Sequence, residues 1–132
     1  MRKVLALFVI AAVISGLVPW AHAQSYGQIT SALKDDTWQV HVNKQVQIAA
    51  DLTSGLNRDQ PFAYIVQVLD QNGVVIQLSW LTGTLTAGQS LSPSQSWTPA
   101  APGNYTAQIF VWSGIDNPNA LSPPLTMKIS VT

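Results

Sequence analysis

Residues 62–80 read FAYIVQVLDQNGVVIQLSW, two apolar runs joined by Asn72-Gly73. Residues 62–69 are apolar on both faces apart from Gln67, the composition of a central strand with a neighbour on each side. Asn72 and Gly73 both tolerate the positive φ values of a type I′ turn. Residues 62–71 and 74–80 are therefore predicted to form a β-hairpin.

The same two-residue period extends in both directions. Upstream, Val46, Ile48, Ala50 and Leu52 share one face, and Gln45, Gln47, Ala49, Asp51 and Thr53 share the other, the pattern of a strand with one wet side. Before it, Trp38, Val40 and Val42 alternate with Gln39, His41 and Asn43 in a first strand. Residues 54–60 form a polar loop closed by Pro61. Downstream, residues 82–88 are rich in turn formers, and residues 90–97 make a weak strand that Pro93 confines to an edge or a bulge. Gly103 opens a strand in which Tyr105, Ala107, Ile109 and Val111 oppose Thr106, Gln108, Phe110 and Trp112. After a loop at 113–124, Leu125, Met127, Ile129 and Val131 face one way in a last strand. About seven strands in about 100 residues predict an all-β, two-sheet sandwich.

The N-terminus carries a different signal. Met1, Arg2 and Lys3 precede a charge-free apolar run at 4–18, VLALFVIAAVISGLV, and Pro19 and Ala21-His22-Ala23 follow. This is the pattern of a secretory signal peptide cut after Ala23, in helical form while it lasts. The run is shorter than the roughly 20 residues a membrane-spanning helix needs; retention as an anchor is the alternative. The expected plan is a signal peptide at 1–23, a flexible segment at 24–36 and the sandwich at 37–132. Secretion to the cell surface is the implied location.

Beyond residue 23, four basic residues (Lys34, Lys44, Arg58, Lys128) face six acidic ones (Asp35, Asp36, Asp51, Asp59, Asp70, Asp116), a net charge of −2. Without clustered cations there is no footprint for a phosphate backbone, which argues against nucleic acid as a partner. Cysteine is absent, so stability rests on burial and backbone pairing.

Pro102-Gly103-Asn104-Tyr105-Thr106-Ala107 resembles the start of strand F in immunoglobulin-like domains, where a tyrosine turns its hydroxyl back onto the backbone as a tyrosine corner. The resemblance covers residues 38–132 and makes Tyr105 that tyrosine. Ala107 then stands where antibody domains place a cysteine, Ile48 or Ala50 at its strand B counterpart, and Tyr64 or Val66 in place of the strand C tryptophan. The wording at 51–68, 96–112 and 119–125 also resembles repeats in secreted surface proteins of ammonia-oxidising archaea, which implies a cell-envelope role.

The inventory for catalysis is thin. Glutamate and cysteine are missing after residue 23, and His41 is the one histidine there, on the polar side of its strand. A nucleophilic triad would need His41 oriented by an Asp and facing a Ser in a cleft that a sandwich face rarely provides. The six Asp are scattered through loops and strand ends, so no catalytic residue is expected and the chain is read as a non-enzyme. No cofactor is expected. Calcium is the one metal the turns allow, through Asp70 with Asn72 or Asp116 with Asn119, although hairpin geometry accounts for the same residues. Asn104-Tyr105-Thr106 is a glycosylation sequon, so Asn104 is a candidate for modification.

Aromatic residues carry the more specific hint. If Tyr105, Ala107, Ile109 and Val111 face the core, Phe110 and Trp112 face outward, and Trp80 ends the hairpin. An exposed aromatic cluster on a sheet is how a carbohydrate or protein contact patch is commonly built. The expected function is an extracellular binding or adhesion module engaging a protein or glycan at the cell surface. The alternative is a subunit of a surface filament or layer, in which residues 24–36 (QSYGQITSALKDD) add as a strand to a neighbour's open edge.

Overall fold

The computed structural model describes residues 29–33 and 36–132; the signal peptide and helix expected at 1–23 lie outside the described residues. The doubly apolar run becomes β5 (Gln60–Leu69), which sits inside a sheet because both its faces need cover. Its antiparallel neighbours are β6 (Val75–Leu85) and β9 (Gly103–Gly114). β11 (Leu125–Val131) pairs with the other side of β9, and β2 (Thr37–Val40) closes that edge, parallel to β11. The larger sheet therefore runs β2-β11-β9-β5-β6, with a short β10 (Asn117–Ala120) paired to β9.

A second layer covers it. β4 (Asp51–Ser54) lies between β1 (Ile29–Ala32) and β7 (Ser90–Leu91), while β3 (Val46–Ala49) pairs with β8 (Ser94–Trp97). The two pairs share one line, interrupted at Ala50 and at Pro93, which has no N–H to give the ladder. The Ala50 N–H still donates to the Pro93 carbonyl at 3.3 Å. The molecule is an all-β, immunoglobulin-like sandwich with no helix among the described residues.

Between the layers, Val46, Ile48, Ala50 and Leu52 meet Phe62, Tyr64, Val66 and Val68, with Ala107, Ile109, Val111, Met127, Ile129 and Val131 beside them. Each larger side chain buried here stabilises the fold by about 1.5–3 kcal/mol. Tyr64 has no exposed surface, and its hydroxyl crosses the core to donate to the Ile48 carbonyl at 3.0 Å. That bond ties the two layers together in a protein with no cysteine.

Four local expectations need correction. Residues 24–36 are not wholly a free segment, because Ile29–Ala32 pairs with β4 and Ile29 is buried in the core. A four-residue edge strand shows too little alternation to stand out, and burial of one isoleucine fixes it. The hairpin forms, but its turn is not type I′: Gly73 has φ +80° and Asn72 has no positive φ. Asp70 explains why, since its Oδ1 accepts the N–H groups of Asn72 (2.9 Å) and Val74 (3.0 Å) and so organises a wider turn, with a bulge where Leu69 meets Val75. β6 continues through Thr82 to Leu85, read above as turn, because Leu85 finds a buried site at the end of the ladder. The loop at 113–124 contains β10, which Ser113 and Asn119 hold through mutual hydrogen bonds of 3.2 and 3.3 Å.

Candidate functional site: an aromatic groove on the outer sheet face

Directly paired residues on neighbouring strands point to the same side of a sheet. Ile65 is opposite Trp80 on β6 and Phe110 on β9; Ala63 is opposite Trp112, and Gln67 is opposite both Leu78 and Gln108. All of these face away from Tyr64 and the core. The register thus assembles Trp80, Phe110 and Trp112, three residues far apart in the chain, around Ile65. Trp80 keeps 52% of its surface exposed, whereas Ile65 keeps 7% although no second layer covers this side.

The result is a groove of about 380 Å³ lined by Ile65, Gln67, Leu78, Trp80, Phe110, Trp112 and Ile115. None of these side chains is charged. The Phe110 and Trp112 rings are 6.1 Å apart at 49°, a tilted pair that fixes one wall. At one end the Gln67 amide donates to Gln108 Oε1, leaving Gln67 Oε1 as an acceptor and Gln108 Nε2 as a donor. Beyond that rung, Gln108 also lines a more polar hollow of about 690 Å³ with Asp70, Asn104, Thr106, Lys128 and Ser130. The outer face is therefore aromatic at one end and polar at the other.

Alternation in the sequence places Phe110, Trp112 and Trp80 on exposed positions but does not reveal Ile65, Leu78, Gln67 or Ile115 as their companions. Ile65 was legible in principle, since a strand apolar on both faces must present something outward. Ile115 was not, because it reaches the groove only through the tight β9–β10 connection.

The remaining candidate residues lie apart from this groove. Tyr105 Oη donates to the Ala101 carbonyl, four residues back, at 2.8 Å, and its ring meets Trp97 edge-on with centroids 5.0 Å apart. Asn104 is exposed at the start of β9. Asp70 and Asn72 belong to the β5–β6 turn, and Asp116 and Asn119 to the β9–β10 hairpin at the opposite end of the sandwich, so the fold does not bring the two pairs together. No group of three or more His, Asp or Glu side chains suited to a metal occurs among the described residues. His41 Nδ1 meets the Thr132 hydroxyl at 3.3 Å on the surface.

No protein-family model and no curated protein matches the chain. Among solved structures it is similar to the CARDB domain of a Pyrococcus furiosus protein, seen in a crystal structure in complex with di-metal ions. There, identity is 20%, with 78% of this chain and 87% of that one covered, at a TM-score of 0.54. The solution NMR structure of the same domain gives 20% identity, 80% and 93% coverage and a TM-score of 0.56. Part of a β-glucosidase from Listeria innocua is also similar, at 10% identity, 79% and 16% coverage and a TM-score of 0.55. At these identities the likeness establishes the fold, an immunoglobulin-like β-sandwich.

Proposed function

We propose that the chain is an exported, non-catalytic binding module of the cell envelope whose contact surface is the groove around Ile65. One observation carries this reading: the register gathers Trp80, Phe110 and Trp112 on an open sheet face where solubility alone favours polar side chains. Aromatic rings bind the C–H faces of sugars, and the Gln67–Gln108 rung supplies a donor and an acceptor for hydroxyl groups. The lining is uncharged, which favours a neutral glycan over an acidic polymer or nucleic acid. The leader sequence supports export to the surface, where such glycans occur. The proposal requires no cofactor. It requires no calcium either, since Asp70 is engaged by its own turn.

The experiment is a binding titration of the exported chain against neutral and acidic envelope polysaccharides, followed by intrinsic tryptophan fluorescence. Saturable binding to a neutral glycan, weakened at least roughly tenfold by Trp80→Ala together with Trp112→Ala, is the expected result. Absence of binding, or affinity that survives the double change, refutes it. The filament reading has less support in its original form, because Ile29–Ala32, part of the proposed donor segment, is already paired to β4 in the same molecule.

A further inference from the structure

Among the described residues, β6 has β5 on one side and no strand on the other. An edge strand directs half of its N–H and C=O groups sideways, where they are complementary to another extended strand. Folded proteins ordinarily blunt such edges with brevity, proline or charge. The other edges among the described residues each show one of these devices, the four-residue β3 (Val46–Ala49) included. β1 and β2 have four residues each, β7 and β8 are separated by Pro93, and β10 is four residues long and contains Pro118. β6 is 11 residues long, and the chain has neither a charged residue nor a proline from 71 to 92.

The apolar surface is concentrated at the same place. Large apolar residues exposed among the described residues are Val74, Val75, Ile76, Leu78, Trp80, Leu91 and Ile115, and the first five lie in β6 or immediately before it. From this we infer that β6 is a self-association edge: a second copy of the chain adds its own β6, antiparallel and about a two-fold axis, to make one continuous sheet across the pair. The occupant follows from symmetry and charge. With the two-fold axis near Gln77, Ile76 of one copy lies opposite Leu78 of the other and Val74 lies opposite Trp80, apolar against apolar. No like charges oppose each other along this edge, and the small net charge of the chain sets up little repulsion between copies. Pairing also lays the two aromatic grooves side by side on one continuous face. The inference stands on the edge rather than on the ligand proposed for the groove.

Sedimentation velocity of the exported chain over roughly a hundredfold range of concentration tests it by mass action. The expected result is a monomer–dimer equilibrium. Combining Val75→Lys with Ile76→Lys, both exposed and outside the groove, should weaken the dimer at least roughly tenfold with circular dichroism unchanged. Leu91→Lys and Trp112→Ala should leave it intact. A wild-type monomer throughout, a dimer that survives the double lysine change, or equal loss with Leu91→Lys overturns the inference. If the double variant fails to fold, amide exchange on the wild type replaces it: protection of β6 must rise with concentration, and protection independent of concentration overturns the inference. A dimer with no glycan binding would leave this inference standing and defeat the proposed function; glycan binding by a strict monomer would do the reverse.

Discussion

Ile109 and Phe110 are neighbours in the chain and inhabit different worlds. The inner face of β9 presents Ala107, Ile109 and Val111, almost fully shielded between the layers, while the outer face presents Gln108, Phe110 and Trp112, which are only partly buried. The adjacent strand shows what an outer face looks like when solvent alone shapes it, since β11 places Thr126, Lys128 and Ser130 there. The two sides thus answer to different demands. The inner residues are aliphatic because they must fill a closed space at high density, whereas the outer aromatics fill no closed space and leave a groove. Inner substitutions should register in stability and outer ones in binding.

The sharpest way to break this contrast is to truncate an inner residue. Ile109→Ala should destabilise the fold by about 2–5 kcal/mol, through lost transfer free energy and the cavity left between the sheets. Urea unfolding measures it, and a loss comparable to that of an exposed residue would show that the two faces are not distinct. Tyr64→Phe comes next. It removes one oxygen and with it the buried bond to the Ile48 carbonyl, which should cost about 1–3 kcal/mol. Burial also raises the Tyr64 hydroxyl far above its ordinary range, so the folded protein holds the neutral form. The unfolded chain releases that proton once pH passes about 10. This contribution to stability is therefore complete below about pH 10 and declines as pH rises beyond it. The advantage of wild type over Tyr64→Phe should shrink in that alkaline window, and a difference that stays constant or grows would refute the assignment.

These same residues show what the sequence discloses. The inner faces of β3, β4, β5, β9 and β11 are legible because a half-buried strand writes its burial as alternation, and Val46, Ile48, Leu52, Ile109, Met127 and Ile129 all follow it. Phe110 and Trp112 are legible as outward for the same reason. What alternation cannot state is which strands adjoin, so the meeting of Trp80 with Phe110 across Ile65 comes only from the register. Short edges such as β1 carry too few residues to establish a period. Turn type was misleading where one side chain intervened: Asn72-Gly73 favours a type I′ turn, yet the Asp70 carboxylate captures two backbone N–H groups and selects another geometry. Asp70→Ala should accordingly cost about 0.5–2 kcal/mol, the range for side-chain oxygens that cap backbone donors, and Asp70→Asn should recover part of it. An Asp70→Ala protein as stable as wild type would mean that Asn72-Gly73 forms the turn unaided.

Trp112→Ala should perturb folding less than Ile109→Ala, and it bears most directly on the contrast between the faces. The indole lies over an open sheet and leans on Phe110, an arrangement worth about 0.5–1.5 kcal/mol beyond area burial when fully formed. The indole is partly buried with one side of the groove open to water, so the loss should lie between that of an exposed residue and the figure for Ile109→Ala, at about 1–2 kcal/mol. Thermal unfolding of Trp112→Ala and Ile109→Ala side by side makes that comparison: a larger loss at Trp112 would place the indole among the packed residues and remove the main support for a binding face. A loss of about 1–2 kcal/mol, below that at Ile109, combined with weaker glycan binding would locate the groove's role in recognition.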